Sequence, residues 1–90
     1  MGKLIRATGE ESDYPPASGK KYTLEELQRA VGGDIEIVAM SDGQLMVLNE
    51  EGKVRALPFN SKATTMTRGF LAPTDMVMGD VVVCKNTEVD

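Results

Sequence analysis

Residues 23–40, TLEELQRAVGGDIEIVAM, predict a helix and a strand with clear boundaries. Thr23 and Glu26 have the spacing of a capping box, in which each side chain accepts a hydrogen bond from the other residue's backbone amide. Apolar residues at spacings of three and four predict a helix over Leu24–Val31. The pair Gly32–Gly33 ends it, because glycine takes the left-handed conformation of a helix C-cap readily.

Strand patterns follow directly after this helix. Residues Asp34–Met40 alternate on two faces, and the Asp-Gly pair after them is a strong hairpin signal. Leu45–Leu48 is the predicted return strand, and Asn49–Gly52 is a second tight turn. Lys53–Leu57 alternates polar and apolar residues again, so the sequence predicts a three-strand antiparallel meander.

The flanking residues complete a prediction of the α+β class, with a small, mostly antiparallel sheet and one capped helix on one face. A single domain over 1–90 is expected, with its core at 23–84. Residues 1–22 predict a short strand and a flexible Pro-containing loop, and residues 85–90 predict a frayed tail. Further predicted elements are an N-terminal strand at Lys3–Thr8, a short helix from Asn60 or Ser61 through Met66, an extended segment at Asp75–Met78 and a C-terminal strand at Val81–Cys84.

Composition excludes several classes of catalyst. The chain has 90 residues, no histidine and one cysteine, so serine–histidine and cysteine–histidine catalysis and internal disulfides are excluded within one chain. Cys84 lies in an apolar run and is interpreted as a small buried side chain. The aspartates fit turn chemistry better than a metal site. We therefore expect a protein with no catalytic residues, no metal and no cofactor.

Charge and hydropathy bear on partners and location. The formal net charge is -4, which opposes broad binding to nucleic acid, because that affinity comes mainly from phosphate neutralisation. An acidic balance suits a chain that meets a basic partner. No apolar run has membrane-spanning length and the N-terminus lacks a signal-peptide pattern, so no membrane association and a cytoplasmic location are expected.

The best candidate ligand site is the stretch from Asn60 to Thr64. Asn60, Ser61, Lys62 and Thr64 place an amide, two hydroxyls and an ammonium where a strand passes into a helix, and helix N-termini bind anions. These residues are the candidate site for a phosphate or a partner's carboxylate. The alternative is that Asn60 or Ser61 only caps the helix.

A second candidate is an apolar surface around the irregular segment after that helix. Phe70, Leu71, Met76 and Met78 are its predicted members. Methionine fills irregular cores and also serves adaptable binding surfaces. Core filling is the alternative interpretation, and exposure of these side chains would favour a partner surface.

Three stretches in order resemble a known family. They are LEELQRAVGGDIE at 24–36, LNEEGK at 48–53 and LPFNSKAT at 57–64, followed by GDVVV at 79–83. Together they resemble the domain of unknown function numbered three-eight-four-six, which recurs in phage, plasmid and other mobile-element proteins of bacteria. The resemblance implies a mobile-element origin and a small α+β domain, and it supplies no catalytic residues.

These observations leave three hypotheses for function. The first is a non-enzymatic accessory protein of a phage or mobile element, located in the host cytoplasm, that binds a protein or associates with itself. The second is a binder or sponge for a nucleotide or other anion that uses Asn60, Ser61, Lys62 and Thr64. The third and least favoured is a DNA-binding module, for which Lys53 and Arg55 on one side of the predicted third strand would provide a small basic patch.

Overall fold

A computed structural model describes residues 2–70 and 76–89 of the protein. Within these residues the chain forms a five-stranded sheet, two α-helices and two short 3₁₀ turns, at Ser41–Gly43 and Asn86–Glu88. The helices and strands in chain order are β1 (Lys3–Ile5), β2 (Glu11–Asp13), α1 (Leu24–Val31), β3 (Ile35–Ala39), β4 (Gln44–Asn49), α2 (Ser61–Met66) and β5 (Val81–Lys85).

The sheet has the strand order β2-β1-β5-β4-β3, and every neighbouring pair is antiparallel. The predicted α+β class and the mostly antiparallel sheet are confirmed. β3 and β4 form the predicted hairpin, and Asp42 and Gly43 in its turn have φ of 60° and 72°. Aspartate and glycine suit this turn because they enter the left-handed region more easily than most residues.

The capped helix α1 is confirmed at its predicted bounds. The Thr23 hydroxyl accepts from the Glu26 amide at 3.1 Å, and the Glu26 carboxylate accepts from the Thr23 amide at 2.9 Å. At the other end Gly32 has φ 82° and donates to the Gln28 carbonyl at 2.8 Å. Local sequence therefore sets both ends of this helix.

Helices cover both faces of the sheet. On one face α1 packs against the inward side chains of the strands in an apolar cluster of Leu4, Tyr22, Leu27, Val31, Val47, Val82 and Cys84. On the other face α2 and residues 76–80, the segment before β5, cover a second cluster. Its members are Ile5, Val38, Met46, Leu48, Ala63, Val77, Val81 and Val83. Because successive strand residues point to opposite faces, the central strand β5 is buried along almost its whole length.

The predicted third meander strand at Lys53–Leu57 is wrong. Residues 51–56 form turns, in which the Arg55 amide donates to the Glu51 carbonyl at 2.8 Å. Val54 is 85% exposed, so the alternating pattern does not face a core. β4 already has β3 and β5 as its two neighbours, so β4 has no free side on which a third meander strand could pair. The predicted strand that aligned Lys53 with Arg55 is therefore absent.

The N-terminal region is more ordered than the sequence predicts. The predicted strand at Lys3–Thr8 ends at Ile5, and β2 lies within the stretch predicted to be a loop. β2 consists of Glu11, Ser12 and Asp13, which are all exposed. A short polar strand at a sheet edge carries no apolar alternation, and sequence patterns cannot identify it.

The C-terminal residues up to Val89 pack against the domain, so the prediction of a frayed tail is wrong for them. The Tyr22 amide donates to the Glu88 carbonyl at 2.8 Å, and Tyr22 also forms a parallel bridge with Val89. The Glu88 side chain is buried and accepts from the Lys85 amide at 3.0 Å. These backbone contacts across long sequence distance hold the segment in place.

Neither helix in the described part of the chain is long and apolar enough to cross a membrane.

Candidate functional site

Asn60 is completely buried (0% exposed) at the start of α2, and its side-chain amide makes three hydrogen bonds. The Oδ1 atom accepts from the Ala63 amide at 3.0 Å, which caps the helix. The Nδ2 atom donates to the carbonyl oxygens of Gly79 at 2.9 Å and Ile5 at 3.1 Å. One side chain therefore connects α2 to β1 and to the segment before β5, and the alternative interpretation of Asn60 as a helix cap is confirmed.

The other three candidate ligand residues lie beside Asn60 on α2. The Thr64 hydroxyl donates to the Asn60 carbonyl at 2.8 Å and accepts from the Val77 amide at 2.9 Å. Lys62 forms an ion pair with Glu11 of β2, and this hydrogen bond together with the lysine charge lowers the pKa of Glu11. Ser61 is exposed.

The polar atoms of this group are directed mainly at the protein itself. Asn60 and Thr64 satisfy backbone groups, and the Lys62 ammonium is paired with a carboxylate. α2 has only 6 residues, so few peptide dipoles add up at its start. The anion-binding hypothesis stays a prediction, and no geometric feature of these four residues favours it.

An apolar surface forms where Phe59 lies opposite Met78. The Asn60 amide donates to the Val77 carbonyl at 2.9 Å and the Gly79 amide donates to the Pro58 carbonyl at 2.6 Å. These two bonds flank Phe59 and Met78, which are thus a non-hydrogen-bonded antiparallel pair whose side chains lie close together on one face. The backbone itself holds the two side chains side by side.

Met76 belongs to the same surface. Val77 is fully buried, whereas its two neighbours Met76 and Met78 are at least partly exposed, so their side chains lie on the outside of the core. Phe59 is 47% exposed, Met76 is 50% exposed and Met78 is partly exposed. We call these three residues the Phe59 patch.

The structure thus brings together two of the predicted surface residues with one that the sequence reasoning missed. Met76 and Met78 lie in the Phe59 patch, Phe70 is exposed after the end of α2, and Leu71 lies outside the described residues. The missed member is Phe59. Its sequence signal was an aromatic side chain directly after Pro58, where the predicted strand pattern ends.

A separate open groove of about 390 Å³ lies between the end of α1 and the start of β5. Its charged groups are Arg6, Arg29 and Asp80. The Asp80 carboxylate accepts from the Ala7 amide at 2.9 Å and pairs with Arg6 at 3.5 Å. Asp80 therefore holds the turn after β1 in place, which agrees with its interpretation as a structural residue.

Two buried titratable groups in the described part of the chain have raised pKa values. Burial raises the pKa of the Cys84 thiol to about 11 and that of Tyr22 to about 12. A thiol with a raised pKa is almost entirely protonated at neutral pH and is a poor nucleophile. Among the described residues, no group of three or more Cys, Asp or Glu side chains is arranged to hold a metal ion.

Comparison with known proteins identifies a family. No curated protein and no solved structure matches the chain. One family model, described as a domain of unknown function, DUF3846, matches residues 5–90. This match includes the ordered motifs between Thr23 and Val83 and also reaches into β1, before the stretch that carries the resemblance. Since the match spans nearly the whole chain, the protein is a member of the DUF3846 family.

Proposed function

We propose that this domain is a non-enzymatic accessory protein of a phage or other mobile element and that it acts by binding a protein through the Phe59 patch. The observation that supports the proposal is the Phe59–Met78 pair, which holds an aromatic and a thioether side chain outward on a hydrogen-bonded backbone. Aromatic residues and methionine are enriched at protein interfaces.

Buried neighbouring residues and hydrogen bonds hold the backbone of the Phe59 patch in place. Asn60 and Val77, which alternate with the patch residues, are both fully buried, and Thr64 donates and accepts hydrogen bonds beneath them. A preordered surface loses less conformational entropy when a partner binds. The Phe59 patch therefore suits binding without rearrangement of the domain.

The magnitude of the contribution follows from exposure. Fully burying a phenylalanine or methionine side chain is worth about 1.5–3 kcal/mol, and about half of Phe59 is already buried. Covering the rest contributes about 1 kcal/mol, which corresponds to about a fivefold change in Kd. Truncating both Phe59 and Met76 should weaken binding by about 2 kcal/mol, or about 30-fold.

Charge indicates the kind of partner. The net charge of -4 favours a partner whose apolar contact surface is surrounded by basic side chains. Such an interaction weakens as salt increases, because exposed charges are screened. The location in a bacterial host cytoplasm is part of the same proposal.

The proposal is tested by affinity capture from host lysate followed by binding measurements on the purified partner. The double variant Phe59→Ser/Met76→Ser is compared with Val54→Ser, a control that changes a highly exposed apolar residue in the turn at residues 51–56. We expect the wild type and the control to bind the same partner with similar Kd, and the double variant to bind about 30-fold more weakly.

Two results would contradict the proposal. One is equal binding by the wild type and the double variant, with thermal denaturation showing that both are folded. The other is enzymatic turnover by the purified domain. Retention of a nucleotide, with no protein partner, would support the anion-binding hypothesis instead.

A further inference from the structure

β3 forms one edge of the sheet, and its outward backbone groups can be identified from the hairpin. The Met40 amide donates to the Gln44 carbonyl at 2.8 Å, and the Glu50 amide donates to the Asp34 carbonyl at 2.9 Å. Hydrogen-bonded pairs alternate along an antiparallel ladder, so the backbone amides and carbonyls of Glu36 and Val38 also point toward β4. The amides and carbonyls of Ile35, Ile37 and Ala39 therefore point away from the sheet.

Side chains at this edge add an apolar row. Residues Ile35, Ile37 and Ala39 share the face of the sheet that α1 covers, because they alternate with Val38 on the opposite face. Ile37 is 45% exposed and Ala39 is exposed. Among residues 2–70 and 76–89, this edge thus presents apolar side chains together with backbone groups that have no partner.

The two edges of the sheet differ in their protection against pairing. β2, at the opposite edge, has 3 residues, all polar and exposed, and two are carboxylates. Short, charged edge strands resist pairing with other chains. β3 has 5 residues in unbroken register, no proline, no lysine and a single charged residue, Glu36. Of the two edges of the described sheet, the β3 edge is therefore the one suited to accept another strand.

We propose that two copies of this chain associate through β3, antiparallel and centred on Ile37, to form one continuous sheet across the dimer. In this register Ile37 pairs with the partner's Ile37, and Ile35 pairs with the partner's Ala39. Every outward backbone group of the strand is then hydrogen-bonded. The two-fold axis is perpendicular to the sheet, so the apolar rows of both copies meet on the α1 face.

Charge and hydrogen bonding select this register over its neighbours. A shift of one step that centres the pairing on Glu36 places two carboxylates opposite each other, which is destabilising. A shift that centres it on Val38 leaves Ile35 without a partner. Centring on Ile37 places Glu36 opposite the partner's Val38 and leaves no outward group unpaired.

A second copy is a suitable occupant because the strand is complementary to itself. The same outward groups and the same apolar row supply both sides of the contact, as a two-fold interface requires. The net charge of -4 on each copy opposes association at low ionic strength. Added salt screens this repulsion, so we expect the dimer to tighten as salt increases.

The oligomeric state is measured by analytical ultracentrifugation over about 5–500 µM, a range that brackets the micromolar affinities of modest interfaces. We expect a concentration-dependent dimer for the wild type. The Ile37→Lys substitution places two ammonium groups opposite each other at the two-fold axis. It should therefore raise the dimer Kd by about tenfold or more. Val54→Lys is the matched control, since it adds the same charge at an exposed turn and should leave the dimer unchanged.

Cysteine cross-linking tests the register. In an Ile37→Cys variant the two Cα atoms would be about 5.5 Å apart, within the range of a disulfide. In Ala39→Cys they would be four residues out of register, about 13 Å apart, and would not cross-link. Native Cys84 is buried and does not compete.

The proposal is overturned if the folded wild type stays monomeric over the whole concentration range, or if Ile37→Lys dimerises as tightly as Val54→Lys. Cross-linking of Ala39→Cys in preference to Ile37→Cys would also overturn it. Retention of the wild-type circular dichroism spectrum by each variant shows that loss of dimer is not loss of fold.

Discussion

Replacing Asn60 by alanine should strongly destabilise the domain without changing its surface. The substitution removes the cap of α2, worth about 1 kcal/mol. It also removes the two bonds from Nδ2 to the carbonyls of Gly79 and Ile5, worth about 1 kcal/mol each. The expected loss in free energy of unfolding is about 3 kcal/mol. For a domain of this size that lowers the Tm by about 12–24 °C.

Thermal denaturation followed by circular dichroism measures this effect, with urea denaturation as a second measure. The matched control is Ser61→Ala, which removes a hydroxyl from the next, exposed residue and should change stability by less than about 0.5 kcal/mol. Asn60→Asp keeps an acceptor for the Ala63 amide but loses both donors and buries a carboxylate beside two carbonyls. It should be at least as unstable as Asn60→Ala.

The reasoning is refuted if Asn60→Ala denatures within about 4 °C of the wild type, because that shift corresponds to less than about 1 kcal/mol. Loss of anion binding at an unchanged Tm would instead show that Asn60 serves a ligand rather than the fold.

Three further predictions concern the capping residue Glu26, the thiol of Cys84 and the close backbone contact at Gly52. Hydrogen bonds from two backbone amides lower the pKa of Glu26 below its ordinary value of 4.5, so its stabilising effect is present above about pH 4.5 and is lost as the pH falls through the lower folded pKa. Glu26→Gln should flatten the acid side of a plot of Tm against pH, and an unchanged slope would contradict this. Cys84 should react with a thiol reagent at pH 8 only when the protein is denatured, because burial raises the pKa of its thiol to about 11. Rapid labelling of the native protein would contradict this and show that the Cys84 thiol in β5 is accessible to solvent. Gly52→Ala should cost about 1–3 kcal/mol in chemical denaturation, since its Cβ would lie 2.9 Å from the Met78 carbonyl oxygen, and wild-type stability would mean that this segment shifts easily.

The candidate site was predictable in part. The cap at Asn60 followed from its residue type before a short helix, but its two long-range bonds to β1 and the segment before β5 did not. Met76 and Met78 were identified as surface candidates, while Phe59 was missed because its neighbour Met78 is far away in sequence. An exposed patch assembled from two separate segments becomes visible only when they pair.

The sequence by itself determined α1, with both caps, and the β3–β4 hairpin. These elements depend on residues a few positions apart, through the capping box, the left-handed glycine and the Asp-Gly turn. Only the tertiary structure decided that β5 lies between β1 and β4, and this placement leaves Lys53–Leu57 without a strand to pair with. It also decided that polar β2 is a strand and that the segment at Val89 packs against Tyr22. In these contacts, backbone groups of distant segments hydrogen-bond to one another. Which segments pair depends on competition for partners across the whole chain, so no local sequence pattern determines it.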